Sequence, residues 1–134
     1  MSKKLIAATL SVFFGFSGAV QAFTIDFNWD GLKICNTGRP NLVVNPEFKV
    51  KGLPKGTNVV EFRLVDKNVP SFKHGGGTVM LSEDGVVSRG AFKYKSPCPP
   101  NGQHTYEWTA TAKDKKGFGG KKLGVAKSSR KYPE

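Results

Sequence analysis

Beyond position 22 the apolar residues never hold a helical period for long, and this constrains the fold more than any other feature of the chain. They come instead in short alternating runs, each stopped by turn chemistry. Between Val59 and Asp66, Val60, Phe62 and Leu64 are apolar while Glu61 and Arg63 between them are charged. From His104 to Ala112, Thr105, Glu107, Thr109 and Thr111 alternate with His104, Tyr106, Trp108, Ala110 and Ala112. One polar and one mostly apolar face is what a sheet with a single solvated side requires. Shorter runs occur at Phe48/Val50, Thr78 to Leu81, Val86–Val87 and Phe92/Tyr94. Leu53-Pro54-Lys55-Gly56 reads as a turn, Asp84-Gly85 as a tight hairpin, and Asn101-Gly102 as the opening of another turn. Many short strands with Gly- and Pro-rich connections predict an all-β fold, an antiparallel β-sandwich or barrel, over residues 23–127. Leu123 to Ala126 would add an edge strand. Residues 128–134 are expected to form a solvated basic tail.

The first 22 residues have a different character. Lys3 and Lys4 precede an uncharged apolar run from Leu5 to Val20, and Val20-Gln21-Ala22 places small residues at both cleavage-specifying positions. That is the three-part layout of a secretory signal peptide, and the run is short for a bilayer span. The protein is therefore expected to be exported, to the periplasm first of all or else released. Export changes what the two cysteines mean. Cys35 and Cys98 both lie after the cleavage point, and an even count in an oxidising compartment predicts one disulfide between them.

Two segments concentrate unusual residues. In the first, Asp66 shares the parity of Val60, Phe62 and Leu64, so its carboxylate ends a strand on the core side. Burial there is costly unless the group is paired. His74 and the glycines Gly75, Gly76 and Gly77 follow. In the second, Ser96-Pro97-Cys98-Pro99-Pro100-Asn101-Gly102 leads into His104-Thr105-Tyr106, where His104 and Tyr106 share the inward face with Trp108.

These segments resemble the phosphatidylethanolamine-binding proteins, also called Raf-kinase-inhibitor-like proteins. The likeness runs from Gly52-Leu53-Pro54-Lys55-Gly56-Thr57 through Asp66, Pro70 and His74 to the Pro-Cys-Pro-Pro run and His104-Thr105-Tyr106. It spans roughly residues 45–114. The resemblance implies a β-sandwich of that type with a small anion pocket for phosphate or a phosphorylated head group. By motif position, Asp66, His74, Ser96, Pro97, Pro99, Pro100, His104 and Tyr106 would build the pocket. Where the family has His-Trp this chain has His74-Gly75, which implies that a flat apolar wall is missing. Physically, phosphate needs imidazole N–H, a tyrosine hydroxyl and free backbone N–H groups in a Gly-rich loop. Asp66 would repel a dianion, and its expected role is to orient His74.

Catalysis is not expected, because there is no Gly-x-Ser-x-Gly nucleophile motif and the thiols are taken as oxidised. Two His and scattered carboxylates lack metal-ligand spacing, and no cofactor is implied. The leading expectation is a non-enzymatic binding protein for phosphate, a phosphorylated small molecule or a phospholipid head group. A net charge of +11 suits such ligands. Two other classes fit the composition. One is an inhibitor or interaction protein acting on a protein partner. The other is a binder of polyanions or anionic membrane surfaces through the Lys-rich stretch from Lys113 to Lys131. Specific nucleic-acid binding is not expected.

Overall fold

The computed structural model describes residues 21–134 and, upstream of them, only residues 4, 8–12 and 15. The run read as a secretory leader lies for the most part outside the described residues. Nine strands follow in chain order: β1 (Thr24–Asp26), β2 (Leu42–Val44), β3 (Phe48–Lys51), β4 (Val59–Asp66), β5 (Gly76–Met80), β6 (Gly85–Val87), β7 (Lys93–Lys95), β8 (His104–Lys113) and β9 (Lys122–Tyr132). All neighbours pair antiparallel, and the described residues contain no helix. A four-stranded sheet, β5-β4-β8-β9, forms one layer; a three-stranded sheet, β1-β3-β6, and the ribbon β2-β7 form the other.

The sequence alternation becomes the inter-layer core. Val60, Phe62 and Leu64 of β4, with Tyr106, Trp108 and Ala110 of β8, are buried on one face. Phe48 of the opposing sheet stacks on Phe62 at 4.4 Å between ring centroids and meets Trp108 edge-on at 5.2 Å. Burying aromatics of this size supplies most of what a small sandwich gains on folding. Asn45 joins the two smaller sheets. It is fully buried and fully satisfied: its amide donates to the carbonyls of Pro46 and Ser88, while its oxygen accepts the N–H groups of Gly90 and Phe92.

Two expectations are corrected. Asp84-Gly85 does not close a hairpin, because β5 belongs to the four-stranded sheet and β6 to the three-stranded one. The Asp84 carboxylate instead accepts the backbone N–H groups of Gly52 and Leu53 at 2.9 and 2.8 Å, which holds its pKa below the usual carboxylate range. Turn chemistry specifies a reversal of the chain, but not which sheet receives the next strand.

The second correction concerns the C-terminus. The basic tail expected at 128–134, with the domain ending at 127, is the second half of β9, paired with β8 out to His104↔Tyr132. Tyr132 is buried against Trp29 and Tyr106; its hydroxyl accepts the N–H of Cys35 and donates to the carbonyl of Lys33. The period was hidden because the inward face of β9 carries Ser128 and Arg130 between Ala126 and Tyr132. Arg130 earns its place by donating to the carbonyl of Phe27 while lying 5.8 Å from that ring's centroid.

Candidate functional site

The register of β4 with β8 sets the site. Asp66 pairs with Tyr106, so Asp66 and His104 are diagonal neighbours on the inward face. His104 Nδ1 lies 2.7 Å from Asp66 Oδ2, and since a carboxylate only accepts, Nδ1–H donates. The other Asp66 oxygen accepts the N–H groups of Asn68 and Val69. Burial alone would raise the Asp66 pKa, but His104 and the two backbone donors outweigh it and leave the carboxyl below its ordinary value.

His74 enters from the chain just before β5. Its Nδ1–H donates to the carbonyl of Lys95 at 2.7 Å, while its own carbonyl accepts the N–H of Lys95, tying the start of β5 to the end of β7. Only 3% of His74 is exposed, and that burial lowers its pKa despite the help of the Lys95 carbonyl. It therefore stays neutral near pH 7. Tyr106 lies between the imidazoles, edge-on to His74 at 5.5 Å and stacked on His104 at 6.2 Å. Burial, and then the charge of Asp66, raises the Tyr106 pKa, so it remains a phenol.

These groups line a cavity of about 160 Å³, whose far wall is Gly38, Pro40, Cys98, Pro99 and Pro100. The Cys35–Cys98 disulfide and a hydrogen bond from Gly38 N–H to the Cys98 carbonyl hold that wall together.

No family model matches the sequence, and no curated protein does. Among solved structures the chain is similar to one from Chlamydia trachomatis, described as a homologue of the phosphatidylethanolamine-binding proteins. Identity is 13%, the TM-score 0.56, and the match covers 84% of this chain and 98% of the other. The fold is that of the phosphatidylethanolamine-binding proteins.

Within the phosphatidylethanolamine-binding fold, the motif residues do not all reach the cavity. Asp66, His74, Pro99, Pro100, His104 and Tyr106 do; Ser96 and Pro97 do not. Both are buried, and the Ser96 hydroxyl accepts the N–H of Asn41, bracing the chain rather than facing a ligand. Asp66 orients His104, not His74 as expected, because the Lys95 carbonyl takes the His74 donor. The three glycines are structural. Gly75 has φ +79°, a Cβ on Gly76 would strike the Phe62 carbonyl, and one on Gly77 would strike the Phe92 ring. Gly76 and Gly77 pair with β4, so they form no open cradle of N–H groups.

The apolar wall implied to be missing is supplied from elsewhere. Phe72 lines the cavity with its ring 4.6 Å from that of His74, and Lys95 Nζ lies 5.7 Å from the Phe72 centroid. Phe72 stands two residues before His74 rather than after it, so a search by motif offset passes over it. Lys95 carried no signal beyond its charge.

The buried His74 makes stability depend on pH. A lowered folded pKa means that its contribution is whole above the unfolded value of 6.5 and is lost as the pH falls toward the folded value. Asp66 acts in the same direction lower down, its contribution disappearing as the pH falls below 3.8. His74→Asn keeps a donor for the Lys95 carbonyl but cannot titrate. Urea midpoints at pH 7 and pH 5 should fall less between the two pH values in this variant than in the wild type; an unchanged drop would remove His74 as its source.

Proposed function

We propose that this protein is an exported, non-enzymatic binding protein whose histidine pocket takes a phosphate-bearing group: inorganic phosphate, a phosphorylated small molecule or a phospholipid head group. The observation that carries the reading is the Asp66–His104 pair beside the Tyr106 phenol. With Nδ1–H held by the Asp66 carboxylate, the His104 ring is fixed in orientation and its Nε2 is the nitrogen left to meet a ligand. Tyr106 offers an O–H. His74, neutral and with Nδ1–H committed, offers Nε2 as an acceptor. The set therefore suits a phosphate that retains one O–H, or an ammonium on the ligand, and Asp66 disfavours a full dianion. Export is supported by the layout of residues 1–22 and by the disulfide, which needs an oxidising compartment to persist.

Titration calorimetry of the oxidised protein with phosphate and with phosphoethanolamine tests this. Saturable one-to-one binding is expected, tighter at pH 6 than at pH 8 because more of the phosphate then keeps one O–H beside Asp66. His104→Ala should weaken it roughly tenfold or more, the size of a lost charge-assisted hydrogen bond. No heat with either ligand, or equal binding by the variant, would overturn the pocket reading.

One observation favours a second reading, contact with an anionic membrane surface. The β8–β9 hairpin puts a fully exposed Phe118 among Lys115, Lys116, Lys121 and Lys122, none of them ion-paired with a described residue. Lysines around an exposed aromatic suit attachment to anionic lipid. Vesicle binding that is lost with salt, and kept by His104→Ala, would place function there.

A further inference from the structure

A second cleft, of about 490 Å³, opens between the chain after β1 and the β2-β7 ribbon, and it shares no lining residue with the histidine pocket. At its wall stands Tyr94. Its ring packs edge-on against Trp108 at 4.8 Å, and the residue is 3% exposed, yet its hydroxyl has no hydrogen-bond partner among the described residues. The buried side-chain polar atom left without a partner among the described residues is Trp108 Nε1; the Tyr94 ring is buried while the residue lines the cleft, so its hydroxyl is a polar group that this wall can offer a ligand. Burial, and then Tyr132, raises its pKa, so it remains a donor, and Arg89 lines the same cleft.

Around it the chemistry is amphiphilic. Trp29, Leu32 and Val43 give apolar walls, and the Trp29 indole N–H is already spent on the Lys131 carbonyl. Arg89 donates to the carbonyl of Asp30, and neither it nor Lys33 is ion-paired with a described residue. Asp30 is the one acid lining the cleft, so two cations face a single carboxylate. A surplus of one positive charge beside apolar walls matches a monoanion with a hydrocarbon body better than a multiply charged phosphate.

We propose that this cleft binds a small monocarboxylate, its carboxylate held by Arg89 and the Tyr94 hydroxyl and its apolar part lying against Trp29 and Val43. This does not rest on the phosphate reading of the other pocket, and either can fail alone. Arg suits the carboxylate because its planar donors match both oxygens, and the phenol completes the set with a neutral donor.

The test is an NMR titration of the oxidised protein with benzoate and hexanoate, with benzyl alcohol and inorganic phosphate as comparators. Saturable shifts at the Trp29 indole are expected with the carboxylates. Tyr94→Phe, which keeps the ring against Trp108, should weaken them roughly three- to tenfold. Arg89→Gln, at an exposed position, should weaken them about tenfold or more. His104→Ala should leave them unchanged. The proposal is overturned if neither carboxylate saturates, if benzyl alcohol or phosphate binds this cleft as tightly, or if well-folded Tyr94→Phe and Arg89→Gln bind like the wild type.

Discussion

A chain ended after Lys127 is expected to show no cooperative unfolding transition. Residues 128–134 include the half of β9 that pairs with β8 beside the histidine pocket, and Tyr132 at its end is buried. Removing that one side chain, as in Tyr132→Ala, should cost about 3–5 kcal/mol, the range for deleting a large aromatic from a core. The backbone N–H of Cys35 and carbonyl of Lys33 lose their partner as well. Against a total stability of about 5–15 kcal/mol for a domain of this kind, loss of the whole segment leaves too little to fold. Tyr132→Phe separates the two contributions: it keeps the ring and loses the hydroxyl, and should cost about 1–3 kcal/mol. Urea unfolding followed by tryptophan fluorescence reads all three variants. A truncated chain that unfolded at the wild-type midpoint would return residues 128–134 to the status of a tail.

Reduction of the disulfide should have the next largest effect. Cys35 and Cys98 are 63 residues apart, and opening a loop of that length frees about 4 kcal/mol of chain entropy in the unfolded state. The consequence is local too. The bridge joins the segment carrying Gly38 and Pro40 to the one carrying Pro99 and Pro100, which together form one wall of the small cavity. A Cys35→Ala/Cys98→Ala protein is expected to unfold at much lower urea. Where it is still folded, it should bind phosphate more weakly than the wild type. A midpoint shift worth less than about 1 kcal/mol would show that the unfolded chain is already constrained in other ways.

Much of the fold was legible because the informative residues obey a period. Val60, Phe62, Leu64 and Asp66 on β4, and Tyr106 and Trp108 on β8, point inward as their alternation requires. The disulfide followed from the even cysteine count and the oxidising compartment that the layout of residues 1–22 led us to expect. The same reasoning failed on β9, where the face turned inward carries a serine and an arginine whose guanidinium lies over Phe27 and donates to its carbonyl. It failed again at Asp84, whose carboxylate ties together two loops far apart in sequence.

At the site, the sequence alone supplied the cast: a carboxylate, two imidazoles and a phenol at the ends of inward-facing strands, with a proline-rich wall. It could not decide which imidazole Asp66 would hold. That depends on register, since pairing Asp66 with Tyr106 brings His104 alongside, and on the Lys95 carbonyl, which reaches His74 only once β7 meets β5. It could not show that Ser96 faces Asn41, that Phe72 replaces the missing wall, or that Tyr94 ends beside a second cleft. Periodicity reports which side of its own strand a residue takes, because that is local geometry. Partners contributed by other strands and loops exist only after the layers have packed, and there the tertiary structure alone decides.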